Sequence, residues 1–126
     1  MHPKQLETVS ALPASERYGY FVRKVADLEE LWGLHDDAWA VMADDDGNEV
    51  FPFWPEREFA ETLAAGSWSS YQAKSISVYD YLDHWIPGMV DDRKCPAVFP
   101  TASGKGVVVD PQRLADDLKE EMKQSE

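Results

Sequence analysis

The sequence predicts an α+β fold: a single mixed sheet of five or six strands with flanking helices. Three observations predict it. Apolar residues recur at spacings of three and four in the first thirty residues or so, over 55–65, from Val78 and after Pro111, which is helical spacing. Between those stretches lie short runs rich in Val, Phe, Trp and Ile, bounded by Asp, Gly and Pro. The runs within 30–54 are joined by short connections, so they are predicted to form an antiparallel meander. Further strands are predicted near 74–77, 97–100 and 106–109.

Taken in order, Leu6, Val9 and Leu12 after Pro3 predict a short helix that Pro13 ends. A second helix opens at Pro13–Glu16 with Tyr18, Phe21, Val22, Val25 and Leu28 on one face. Arg17, Arg23 and Lys24 lie off that stripe. Glu30–Leu34 and Ala38–Met42 read as strands around a turn at His35–Asp37. Asp44–Asn48 is a strong turn, because Asp and Asn tolerate the left-handed region and Gly enters it freely. Glu49–Trp54 is the most apolar strand. Pro52 cannot donate to a ladder, so that strand must be bulged or lie at an edge there. Pro55 is predicted at the first position of a helix over 55–65 with Phe59, Ala60 and Leu63 buried, capped by Gly66. A loop over 67–72 leads to the strand at Lys74–Ser77.

Ser77 with Asp80 predicts the start of a helix from Val78, with Leu82, Trp85, Ile86 and Met89 inward. Pro87-Gly88 should kink or end it. Ala97–Pro100 reads as a strand, Ser103–Gly106 as a hairpin turn, and Gly106–Val109 as a central strand covered on both faces. Asp110 and Pro111 cap and open the last helix, which Leu114, Leu118 and Met122 dock.

At 126 residues and 14.3 kDa the chain is expected to be one domain, 1–126. Its formal charge of −12, from 24 acidic and 12 basic residues, argues against nucleic-acid and anionic-membrane partners. It suits a protein partner, and a basic one in particular. Cys95 is the only cysteine, so an internal disulfide is excluded and a reducing compartment is expected. The N-terminus shows no apolar signal-peptide core, and no run approaches a membrane span; the expectation is a cytoplasmic protein.

The chemistry-bearing motifs argue mostly by exclusion. An EF-hand with its Gly at Gly47 would place Met42 and Phe53 at the first and last ligand positions, which neither can fill. His2, His35 and His84 show no metal-ligand spacing. Ser103-Gly104-Lys105-Gly106 lacks the earlier Gly and the following Ser or Thr of a phosphate loop. Cys95 follows Arg93-Lys94, two cations expected to lower its pKa, with His84 the nearest base in sequence. Adjacent acids such as Asp91-Asp92 and Asp116-Asp117 diverge on a helix and form no acid–base dyad. The expectation is therefore no catalytic residue, no metal and no cofactor.

What remains is aromatic surface. Trp54, Trp68 and Tyr71 bracket the 55–65 helix and its exit loop, with Glu56 between them. They are the candidate anchors of a protein-binding module. An alternative is a small-molecule pocket or weak enzyme site where strand 49–54 meets the helix from Pro55, near His84. A third reading is an immunity-like protein that neutralises a basic toxin through its negative field.

Several motifs also carry a resemblance: Arg17–Phe21, Leu31–Leu34, Glu49–Pro55, Trp85–Gly88 and Gly106–Pro111, in this order. Together they resemble the bacterial domain of unknown function 2750 family over nearly the whole chain. The resemblance implies a small stand-alone bacterial cytosolic protein and carries over no catalytic residues. A weaker likeness, to the N-terminal domain of the enhanced serine sensitivity protein family, supports a sheet with flanking helices.

Overall fold

The computed structural model describes residues 1–64 and 68–124. Two helices lead, α1 (Pro3–Ser10) and α2 (Ala14–Leu28). They are followed by β1 (Glu30–Asp36), β2 (Ala38–Trp39), β3 (Met42–Ala43), β4 (Glu49–Phe53), α3 (Arg57–Leu63) and β5 (Gln72–Ser77). The helical stretch over 78–92 has three parts: α4 (Val78–Asp80), a π-helical turn (Tyr81–Trp85) and α5 (Ile86–Asp92). Then come β6 (Cys95–Val98), β7 (Val107–Val108) and α6 (Pro111–Gln124). The cap expected at Gly66, and the helix end expected at Ala65, lie outside the described residues.

The fold is α+β, but the strands form two sheets and not the single sheet expected. One is β2-β1-β5 and the other is β3-β4-β6-β7. The meander over 30–54 is broken because β5 covers one edge of β1 along its length, from Glu30 opposite Ser77 to His35 opposite Gln72. Among the described residues, the other edge of β1 holds β2, a hydrogen bond from Ala40 N to the Leu34 carbonyl at 2.8 Å, and one antiparallel bridge, Trp32 to Trp54. The expected strand Ala38–Met42 divides at the buried Ala40. Its first half pairs β1, and its second half crosses to pair β4. The expected turn at His35–Asp37 narrows to Asp37, at φ 60°, because β1 continues through Asp36.

Pro52 sits in β4, an inner strand, without breaking a ladder. β3 stops pairing at Met42 opposite Val50, and the next contact on that edge is the Trp54 bridge. The nitrogen of Pro52 faces the gap between them, so the strand is locally an edge. The chain then bends at Pro55 and Glu56, and Glu56 is still extended, at φ −145°, ψ 154°. Helix α3 therefore starts at Arg57, and Pro55 precedes it instead of opening it.

The Val107–Val109 run is not the covered central strand. β7 is an edge, and Val108 is 44% exposed. The inner strands are β4 and β6, which pair in parallel from Val50 opposite Cys95 to Phe53 opposite Val98. Parallel pairing needs a long crossover, and the chain between them supplies it. β6 ends at Val98 because Phe99 turns at φ 58° and buries its ring 4.7 Å from that of Phe59. The 99–106 connection is thus a broad loop, larger than the hairpin turn expected at Ser103–Gly106.

Pro87 does not end its helix, which runs on to Asp92 and is capped by Arg93 in the left-handed region. Pro87 has no N–H to offer the preceding turn. The chain accommodates this by a wider turn, in which the Ile86 N–H bonds the Tyr81 carbonyl. The caps expected at Ser77 and Asp110 form: Ser77 Oγ accepts from Tyr79 N at 3.2 Å, and Asp110 Oδ2 from Arg113 N at 3.3 Å.

One buried cluster draws on nearly all of these elements. Phe21 and Val25 of α2, Leu31 and Leu34 of β1, Phe53 and Trp54, Tyr81, Val98, and Leu114 and Leu118 of α6 are almost wholly enclosed. This cluster fills one face of the four-stranded sheet and leaves the other face to the site.

Candidate functional site

Register decides which residues share that open face. Met42, Val50 and Cys95 are paired across three strands, as are Pro52, Ala97 and Val108, and both rows point the same way. The alternate residues Phe53 and Val98 point into the core, where the Phe53 ring lies 5.0 Å from that of Tyr81. Met42, Val50, Ala97 and Val108 floor a cleft of about 640 Å³. The 44–48 turn forms one wall and the 100–106 loop the other.

Each wall is built locally. Asp44 holds the first: its carboxylate accepts from Asn48 N at 2.8 Å and from Asp46 N at 2.9 Å. The bond from the Asn48 amide keeps that carboxyl below its usual range, with the Asp46 amide adding to it. Gly47, at φ 82°, closes the turn. The second wall is held from below by Arg17, which donates to the Lys105 carbonyl at 2.8 Å and to the Phe99 carbonyl at 3.1 Å. Gly106 is closely packed there: a Cβ would come within 3.1 Å of the Val98 carbonyl and the Pro100 ring. Across the mouth, Lys105 Nζ meets Asp45 Oδ1 at 2.5 Å.

The lining contains no His and no Cys. Cys95 shares the sheet face but is not an activated thiol. Burial pushes its pKa up, and Asp110 and Asp44 add to the shift. That reverses the expectation from Arg93-Lys94: Arg93 caps a helix in the left-handed region, and Lys94 Nζ is paired with Glu49 Oε1 at 2.8 Å. Among the described residues no three His, Cys, Asp or Glu side chains gather as a metal site requires. No described helix is long and apolar enough to cross a membrane.

The five residues singled out from sequence do not converge. Trp54 is fully enclosed, with Nε1 donating to the Pro100 carbonyl at 2.8 Å, so it offers a partner nothing. Its indole is needed inside, where the two sheets meet. Glu56 is half-buried and accepts from the Tyr20 hydroxyl at 2.6 Å. His84 is exposed and bonds Asp80 through Nδ1 at 2.9 Å, one helical turn away. Only Trp68 and Tyr71 come together, both half-buried, with ring centroids 6.2 Å apart. Tyr71 also borders a separate depression with Arg57, whose guanidinium stacks 4.9 Å over Trp32.

The cleft itself escaped sequence reasoning. Its two walls were legible as turns, at Asp44–Asn48 and Ser103–Gly106. That they flank one apolar face depends on the parallel register of β4 and β6, which no local pattern reports. Arg17 is expected off the apolar stripe and instead lies on it, and a signal exists for this: it stands four residues before Phe21 and eight before Val25.

Comparison with curated proteins and with solved structures finds no match. Comparison with family models finds one, covering residues 18–118, and it agrees with the first of the two resemblances carried by the motifs. The chain belongs to the family described as protein of unknown function (DUF2750).

Proposed function

We propose that the chain is a non-enzymatic binding module, and that the cleft over β3, β4, β6 and β7 receives a segment of a protein partner. The cleft carries this reading: a concave floor of Met42, Val50, Ala97 and Val108, of which Val108 is 44% exposed and Val50 and Ala97 are buried, beneath a rim bearing charges and hydroxyls. A concave surface with an apolar floor and a polar rim has the anatomy of an interaction site. The rim holds Thr101 and Ser103, but its Lys105 is paired with Asp45 and its Asp44 carboxylate is bonded to its own turn, so binding accounts for its groups better than nucleophilic chemistry does. The expected anchor moves with it, from the Trp54 corner to the half-buried Met42 and the exposed Val108 at the floor.

Panning a random peptide display library against the chain, in parallel with its Val108→Arg variant, tests this. Val108 is half-exposed on an edge strand, so circular dichroism should show the variant folded. Peptides combining apolar and basic residues should be enriched on the parent chain and lost on the variant. No enrichment, or equal enrichment on both, overturns the reading.

A second reading, a small-molecule site, is favoured by the volume of about 640 Å³, which falls within the usual range of ligand pockets, roughly 300–1,000 Å³. It would occupy the same cleft rather than the corner near His84. Fragments that shift the amides of Val50 and Ala97 while peptides do not would favour it.

A further inference from the structure

Asp45 and Lys105 stand on opposite walls and close the mouth of the cleft with one ion pair. Their side chains are 78% and 82% exposed. Exposed pairs of this kind are weak and screened by salt, so this one opens at little cost. The neighbouring Asp44 carboxylate is taken up by the backbone of its own turn, which leaves Asp45 as the carboxylate available to a visitor. The net charge of −12 attracts basic segments to this rim and repels acidic ones.

Resting on the cleft reading above, we infer that Lys105 stands in for a cation of the partner. The bound segment carries a Lys or Arg that displaces Lys105 from Asp45, and lays an adjoining apolar side chain on the half-buried Met42 and the exposed Val108. A lysine suits this geometry, because its aliphatic stem can lie along the apolar floor while the ammonium stays at the wetted rim. Lys105 then acts as a tethered competitor, excluding segments that lack the charge.

Three tripeptides, capped at both ends, test the inference by titration into the isotope-labelled full chain. They are valyl-lysyl-valine and its norleucyl and glutamyl analogues. The lysyl peptide should move the amides of 42–50 and 97–108 and bind more tightly than the other two. Asp45→Asn should lower its affinity to that of the norleucyl peptide, and added salt should erase the same difference. Lys105→Met should raise its affinity about two- to fivefold, as removal of an exposed competitor predicts. If all three peptides move those amides equally, or Asp45→Asn changes nothing, the cation inference is wrong while the cleft stands. If no peptide moves them, both fall.

Discussion

Arg17 is 5% exposed and has no carboxylate partner among the described residues. Its guanidinium is instead spread over three backbone carbonyls: Leu12 at 2.6 Å, Lys105 at 2.8 Å and Phe99 at 3.1 Å. Burial lowers its pKa from the ordinary arginine value. The planar fork reaches three chain segments at once, which a lysine ammonium cannot do. Replacing it with Met would leave the three carbonyls without that donor at the base of the cleft wall. Arg17→Met should therefore cost about 3 kcal/mol, as for a buried charged donor whose partners stay unpaired. Urea unfolding would measure the loss, and hydrogen exchange should quicken at 101–105 before it quickens in β1. Arg17→Lys should recover less than half of the loss.

Elements meet here through aromatic contacts that need backbone room. The Trp39 ring of β2 lies on Gly33 of β1, where a Cβ would come within 2.9 Å of it. From Trp39 the contacts run to Trp85 at 4.9 Å, from Trp85 to Phe53 at 5.4 Å, and from Phe53 to Tyr81 at 5.0 Å. The π turn forced by Pro87 sets Tyr81 and Trp85 nearly parallel, at 28° and 6.0 Å. It thereby places both rings on β4. Gly33→Ala should displace Trp39 and cost about 1–3 kcal/mol, the usual range for overpacking. Near-ultraviolet circular dichroism should change with it, since several indoles shift together. An unchanged spectrum at full stability would show that Trp39 has a free alternative position.

Across the whole molecule, α2 is tied to its surroundings by two tyrosines. Tyr18 donates to Asp117 of α6 at 2.5 Å, and Tyr20 to Glu56 ahead of α3 at 2.6 Å. Burial first, and then these carboxylates, raise both pKa values well above the ordinary 10.0. Tyr81, wholly buried, is raised in the same direction by burial. The folded state thus keeps these hydroxyls protonated after the unfolded chain begins to ionise. Their stabilisation is complete below pH 10.0 and is lost as pH rises from there towards the folded values. Stability measured by urea unfolding should fall on the alkaline side. Replacing Tyr18 and Tyr20 together with Phe should make that fall shallower; an unchanged alkaline slope would assign it to other groups.

By itself the sequence determined most of the elements and some of their ends. The stripes at Phe21 and Val25 and at Leu114 and Leu118, the caps at Ser77 and Asp110, the Asp44–Asn48 turn and the α+β class are local patterns, and local backbone physics enforces them. Only the tertiary structure decided the partners. Each strand has two edges, and which neighbour takes them is a competition between distant segments: β5 took β1, β6 took β4, and one bridge from Trp32 to Trp54 was left to join the sheets. That competition buried Trp54, turned Arg17 inward, exposed Val108 and brought a turn at 44–48 and a loop at 100–106, about fifty residues apart in sequence, to the same cleft. The patterns that make a strand are read along the chain, and the energy that pairs it is not.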